Sequence, residues 1–241
     1  MKIHVFKNKE LASAYVSEMI KDSLQKNHVT FGLATGSTPE PLYAILRQSN
    51  WDFSQATAIN LDEYYGLASD HPQSYAHFMQ KQLFQDKTFK ETFIPNGANS
   101  NVEEEISKYE EILKKHPVDL QILGIGTNGH IGFNEPGTPF NSLTHLVDLT
   151  PSTIESNQRF FENISQVPTQ AYSMGIQSIF NAKKIVLMAF GSAKSDIIAQ
   201  AFQGPVTENI PASILQNHPD TVIILDEAAA EKLQLDSHYH G

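Results

Sequence analysis

Three features of this sequence predict an open, mostly parallel α/β sheet of the Rossmann-like class, with helices on both faces. Short runs of β-branched and aliphatic residues recur along the chain, and most are followed by a stretch that reads as a helix. The strongest runs are compact and apolar, as expected of strands buried on both faces. The 241 residues are 40% hydrophobic and 18% charged, enough for one sizeable core. No repeat, low-complexity tract or linker divides the chain, so a single domain over residues 1–241 is expected.

Residues 3–6 open the pattern as a short strand. In residues 10–26, Leu11, Ala14, Tyr15, Glu18, Met19, Asp22 and Leu24 recur with partial helical periodicity. Residues 29–34 form a compact apolar run that stops at Thr35-Gly36-Ser37-Thr38-Pro39. There Thr38 suits an N-cap, Pro39 the first helical position and Glu40 the first turn of a helix reaching about residue 48. Residues 56–61 read as a strand ended by Asp62-Glu63-Tyr64-Tyr65-Gly66, followed by helical stretches over 74–84 and 102–115. Residues 118–125 are a third buried run. The loop after it carries Gly129, Gly132, Pro136, Gly137 and Pro139, which exclude regular structure. Residues 145–149 suit a strand and 152–161 a helix. The clearest strand is 184–190, which leads through Gly191-Ser192-Ala193-Lys194 into a helix ending near Phe202, and residues 221–225 form the last strand.

Composition narrows the function. Lys and Arg number 17 against 27 Asp and Glu, a formal net charge of −10. Such a surface repels phosphate backbones and anionic bilayers over most of its area, which argues against nucleic-acid and membrane partners but leaves room for a local pocket holding one phosphate. Cysteine is absent, which removes disulfides, zinc–thiolate sites and cysteine nucleophiles together. The N-terminal residues lack the apolar core of a signal peptide, and no apolar run is long enough to cross a bilayer. A cytoplasmic protein is expected.

In open parallel sheets, ligands bind outside the carboxyl ends of the strands. Four predicted strands end in polar, acidic or glycine-containing segments: 35–38, 62–63, 127–135 and 191–194. The Thr35-Gly36-Ser37-Thr38 turn, between a strand and a helix start, offers backbone N–H groups and hydroxyls to a phosphate, although an ordinary capped turn would look the same. Gly124-Ile125-Gly126-Thr127-Asn128-Gly129 matches G-x-G-x-x-G, with Asp148 about twenty residues further on. No helix can start directly after it, since His130-Ile131-Gly132-Phe133-Asn134-Glu135-Pro136-Gly137 follows, so a dinucleotide site is rejected. His130 stands in that glycine-flanked loop with Glu135 close enough to orient it, an arrangement suited to proton transfer or to a purely structural hydrogen bond. Asp62 and Glu63 offer a carboxylate at a strand end, as catalytic base or turn residue. Arg159 and Lys194 are possible phosphate partners among 17 basic residues. His238 and His240 look like a metal pair only superficially, and no metal is expected.

Taken together, Gly32-Leu33-Ala34-Thr35-Gly36-Ser37-Thr38-Pro39, Asn60-Leu61-Asp62-Glu63-Tyr64-Tyr65-Gly66-Leu67, His71-Pro72-Gln73-Ser74-Tyr75, the 124–136 loop, Asn157-Gln158-Arg159-Phe160-Phe161 and Gly191-Ser192-Ala193-Lys194 resemble the glucosamine-6-phosphate deaminase family in order, from about residue 30 to 227. The resemblance implies reversible conversion of D-glucosamine 6-phosphate and water to D-fructose 6-phosphate and ammonia, with no metal or organic cofactor. It implies Asp62 as the base that moves the C2 proton to C1. His130 would open the sugar ring, tuned by Glu135, and Thr35, Gly36, Ser37, Thr38, Arg159 and Lys194 would hold the phosphate. Many members of the family carry Asp where this chain has Asn128, which can hydrogen-bond but holds no negative charge, so either Glu135 suffices to support the histidine or ring opening has a different pH dependence here. The chain is short after Glu227 compared with the hexameric, N-acetylglucosamine 6-phosphate-activated members, so a monomer or small homo-oligomer is expected. The segment 141–169 is the candidate moving cover. The 6-phosphogluconolactonase family is similar in fold, but typically continues Thr-Ala-Ser after the histidine. A sugar-phosphate sensor usually accompanies a DNA-binding segment, of which this acidic sequence shows no basic helix-turn-helix candidate, and it has no need for the Asp62, His130 and Glu135 set.

Overall fold

The protein is described by a computed structural model over residues 1–26, 29–158 and 161–234. In chain order the elements are β1 (Lys2–Phe6), α1 (Lys9–Leu24), β2 (Thr30–Leu33), α2 (Glu40–Gln48), β3 (Thr57–Asn60), β4 (Asp62–Tyr64), α3 (Tyr75–Met79), β5 (Glu91–Phe93), α4 (Val102–Lys115) and β6 (Leu120–Leu123). There follow β7 (His145–Asp148), α5 (Pro151–Asn157), β8 (Gln170–Ser173), α6 (Ile176–Phe180), β9 (Lys184–Ala189), α7 (Ser195–Gln203), β10 (Thr221–Asp226) and α8 (Glu227–Ala230). Seven strands pair in parallel in the order β1-β10-β9-β6-β2-β3-β5.

Both faces of this sheet are covered, as its apolar strands require. Side chains alternate along each strand, so adjacent residues enter opposite layers. Ile122 packs with Val16 and Ile20 of α1, Leu42 and Leu46 of α2 and Met79 of α3. Its neighbour Leu123 packs with Tyr109 of α4, Ile179 of α6, Ile197 of α7 and Ala229 of α8. The α/β class with a parallel, doubly covered sheet is therefore as predicted. Among the described residues, no helix is long and apolar enough to cross a membrane.

The differences from expectation are local. Helix α2 begins at Glu40 with Pro39 at the N-cap position and no side-chain capping bond, so Thr38 does not cap it. A second, antiparallel sheet runs β4-β8-β7. Of its strands only β7 stands out as a run; β4 is read as the polar end of β3. Gln170–Ser173 has too few apolar residues to stand out, and is buried because β4 and β7 flank it. Strand β5 escapes notice because Glu91-Thr92-Phe93 is a short, partly exposed edge. Helix α5 starts one residue before the predicted 152 and ends at Asn157, and residues 159 and 160 lie outside the described residues.

Candidate active site

The carboxyl ends of four adjacent strands, β9, β6, β2 and β3, carry the four segments singled out from the sequence. The strand order reverses between β2 and β6, where open α/β sheets form their ligand crevice. A cleft of about 950 Å³ opens there, lined by Thr35, Gly36, Ser37 and Thr38 after β2, Asp62 after β3, Gly124–Thr127 and His130 after β6, and Lys194 after β9.

Asp62 sits where the chain leaves one sheet for the other. Leu61 still bonds to β2 through its N–H, while its carbonyl accepts the N–H of Met174. Asp62 then pairs with Ser173 in the small sheet. Its side chain is 6% exposed, and its carboxylate accepts no hydrogen bond from the described residues. Burial, aided by the charge of Glu63, pushes its pKa up to about 8. A carboxylate so disfavoured is a strong proton acceptor for its type once ionised.

The loop from Gly124 to Pro136 is tied to itself and to the fold. Gly126 donates its N–H to the His130 carbonyl at 2.9 Å, and Gly129 donates to the Gly126 carbonyl at 2.9 Å. Gly129 has a φ of 89°, a left-handed conformation that glycine adopts without penalty. No helix follows the G-x-G-x-x-G run, in agreement with the rejection of a dinucleotide site. His130 Nδ1 lies 2.7 Å from Asn128 Oδ1, whereas Glu135 Oε2 is 3.5 Å away. Asn128 Nδ2 in turn donates to Glu135 Oε2 at 2.6 Å. The carboxylate thus fixes the amide, and the amide oxygen, which can only accept, selects the tautomer of the neutral ring that carries its proton on Nδ1 and offers Nε2 as the acceptor. Glu135 therefore reaches the imidazole mainly through Asn128. Burial raises the Glu135 carboxyl, but His130, Asn128 and Thr153 outweigh that and hold it below the usual carboxylate range.

Lys194 faces the cleft from the turn after β9. It is largely buried, which pushes its pKa down, and its amine donates to the Ile125 carbonyl at 2.6 Å. No bond joins it to the Thr35–Thr38 turn among the described residues, although both line the same cleft. Arg159 lies outside the described residues, as do His238 and His240. Among the described residues no group of three His, Asp or Glu side chains is placed to hold a metal ion.

Several site residues went unread in the sequence. Asn134 is fully buried and donates to the carbonyls of Ile131 and Met174 at 2.9 and 2.8 Å, closing the loop against the small sheet. Tyr64, Tyr75, Phe133 and Phe161 form an aromatic wall of the cleft, with Tyr75 stacked on Phe133 at 6.1 Å and 7°. All four stand in segments that carry the family resemblance, but apart from it buried tyrosines and phenylalanines read as core or subsite packing, and their spacing assigns them no role.

A family model described as glucosamine-6-phosphate isomerases/6-phosphogluconolactonase matches residues 8–224. A glucosamine-6-phosphate deaminase of Leuconostoc citreum (strain KM20) is 55% identical over 233 residues, covering 97% of this chain and 100% of that protein. One of Streptococcus pneumoniae (strain 70585) is 55% identical over 234 residues with the same coverage. The solved structure of a monomeric glucosamine-6-phosphate deaminase superposes with a TM-score of 0.93 at 40% identity, over 97% of this chain and 100% of that one. A 6-phosphogluconolactonase from Leishmania guyanensis shares the fold at a TM-score of 0.78 and 18% identity, over 97% of this chain and 99% of that one.

Proposed function

We infer, for a chain that belongs to the glucosamine-6-phosphate isomerase and 6-phosphogluconolactonase family, that its reaction is the isomerising deamination of D-glucosamine 6-phosphate to D-fructose 6-phosphate and ammonia. The observation that carries this reading is the shared cleft. A buried carboxylate and an oriented imidazole open on one cavity with a hydroxyl-rich turn and a lysine. The 55% identity to deaminases over nearly the whole chain supports it.

In this reading His130 Nε2 relays the proton of the anomeric hydroxyl to the ring oxygen, which opens the pyranose. Asp62 then removes the C2 proton and returns it at C1, while a proton of the amine passes to O1, leaving a hydroxyl at C1 and an imine at C2. Water adds to that imine, and ammonia departs as the ketone forms. Thr35, Gly36, Ser37, Thr38, Lys194 and Arg159 hold the phosphate, so that binding energy remote from C2 orients C2 against the carboxylate. The remaining parts of the reading are a single domain acting as a monomer or small homo-oligomer, in the cytoplasm, without cofactor.

Ammonia release from glucosamine 6-phosphate, with equimolar fructose 6-phosphate, tests it against the lactonase branch. The expected result is turnover by the native protein and none above background by Asp62→Asn. Hydrolysis of 6-phosphogluconolactone without ammonia release would overturn it.

A further inference from the structure

Glu63 follows Asp62 on β4, and alternation along a strand sends the two carboxylates to opposite sides. Asp62 and Tyr64 line the cleft; Glu63 does not, and it is 1% exposed. Its oxygens are fully engaged. Oε1 accepts the backbone N–H groups of Tyr64 at 2.8 Å and Tyr75 at 2.9 Å, and Oε2 accepts that of Ala76 at 2.9 Å. Tyr75 and Ala76 open helix α3, where N–H groups lack partners within the helix. Ser74, the N-cap residue, takes the N–H of His77, so the start of α3 is shared between a local serine and a carboxylate from another element. Tyr75 is also the residue stacked on Phe133 in the cleft wall.

We propose that Glu63 is a positioning residue for Asp62: it pins the strand that bears the base to the helix that contributes Tyr75 to the aromatic wall, and it keeps a negative charge behind the base. This rests on the reading of Asp62 as the base. A neutral side chain could fill the same space, but it would not oppose ionisation of Asp62. Burial pushes Glu63 up to about 6 against three N–H donors, so it is charged at neutral pH. The other groups around Asp62 do not substitute for it. Tyr64 of β4, Tyr75 of α3 and Tyr109 of α4 are all raised by burial above the usual phenol value and stay neutral. Lys194 and His130 across the cleft can carry only positive charge, and Glu40 lies on its exposed rim. Of these, Glu63 is the charge acting to raise Asp62.

The test compares the native protein with Glu63→Gln and Glu63→Asp in two measurements. One is the pH profile of kcat/KM for ammonia release; the substrate's own ionisations are common to all three proteins and cancel. The other is a carbon-13 NMR titration of the Asp62 carboxyl, which needs no turnover. In Glu63→Gln the acidic limb and the NMR midpoint are expected to move to lower pH by about one unit, with kcat on the alkaline plateau reduced about tenfold. Glu63→Asp, which keeps the charge but shortens the reach to α3, is expected to hold both midpoints and lose kcat. An unmoved Asp62 titration in Glu63→Gln reduces Glu63 to a structural cap and overturns the proposal. If Glu63→Gln does not fold, native kcat in Glu63→Asp overturns it instead. Full activity of Asp62→Asn would sink the base assignment separately, while the NMR arm would still report whether Glu63 acts on Asp62.

Discussion

As the proposed base, Asp62 would have to be buried, so that water does not quench the exchange between C2 and C1, and would also have to ionise. The fold meets the first demand at the expense of the second, since nothing among the described residues donates to its carboxylate, and its pKa rises to about 8. The acidic limb of kcat/KM is therefore expected near pH 8, well above the range of an ordinary carboxylate. A limb below pH 5 in a pH–rate profile would contradict this. The His130 side of the cleft yields a second prediction. Glu135→Gln removes the carboxylate that anchors Asn128, whereas Asn128→Asp places two carboxyls 2.6 Å apart, close enough to share a proton and keep one negative charge. Steady-state rates with the cyclic substrate at neutral pH are expected to fall about tenfold or more for Glu135→Gln and less for Asn128→Asp. The reverse order would remove Glu135 from its assigned role.

At the scale of elements, the loop between β6 and β7 shows how backbone geometry aims a side chain. Gly126 packs against the imidazole so closely that a Cβ there would overlap the ring of His130. Gly126→Ala is expected to displace that ring and lower kcat/KM about a hundredfold, while circular dichroism and melting temperature stay near native, because the added Cβ meets only the partly exposed imidazole and leaves the core contacts of Ile125 and Ile131 in place. Native activity would mean that the imidazole does not have to sit where it is seen. The same loop marks how far motif reading reaches. Its glycines match a dinucleotide fingerprint in spacing, and the absence of a following helix dismisses it. That Asn134 closes the loop against Met174 has no local signal, because a lone asparagine in a Gly-Pro-rich stretch looks like any turn residue.

For the whole molecule, the buried carboxyls make stability depend on pH. A carboxyl whose folded pKa lies above its unfolded value stabilises the protein fully below the unfolded pKa, and that contribution is lost as pH rises through the folded one. For Asp62 the window runs from about 4 to about 8. Across it, the native protein is expected to lose stability relative to Asp62→Asn. The melting-temperature gap should widen in favour of Asp62→Asn by roughly 5 °C or more, and level off above pH 8. A gap that stays constant from pH 5 to 8 would refute the raised pKa. Sedimentation is expected to give the mass of one chain or of a small homo-oligomer; a hexamer would contradict it.

By itself the sequence determined the layer architecture, because apolar runs separated by amphipathic stretches have one economical way to bury both faces of a sheet. It also marked which strand ends carry polar and charged side chains, since Asp62 follows such a run directly and His130 and Lys194 stand within a few residues of one. Only the tertiary structure decided that β9, β6, β2 and β3 lie side by side, that the chain turns at Leu61 into a second sheet, and that Glu63 reaches α3 rather than solvent. These are contacts between segments far apart in the chain. No local pattern encodes them, because the free energy that selects them comes from packing the whole core.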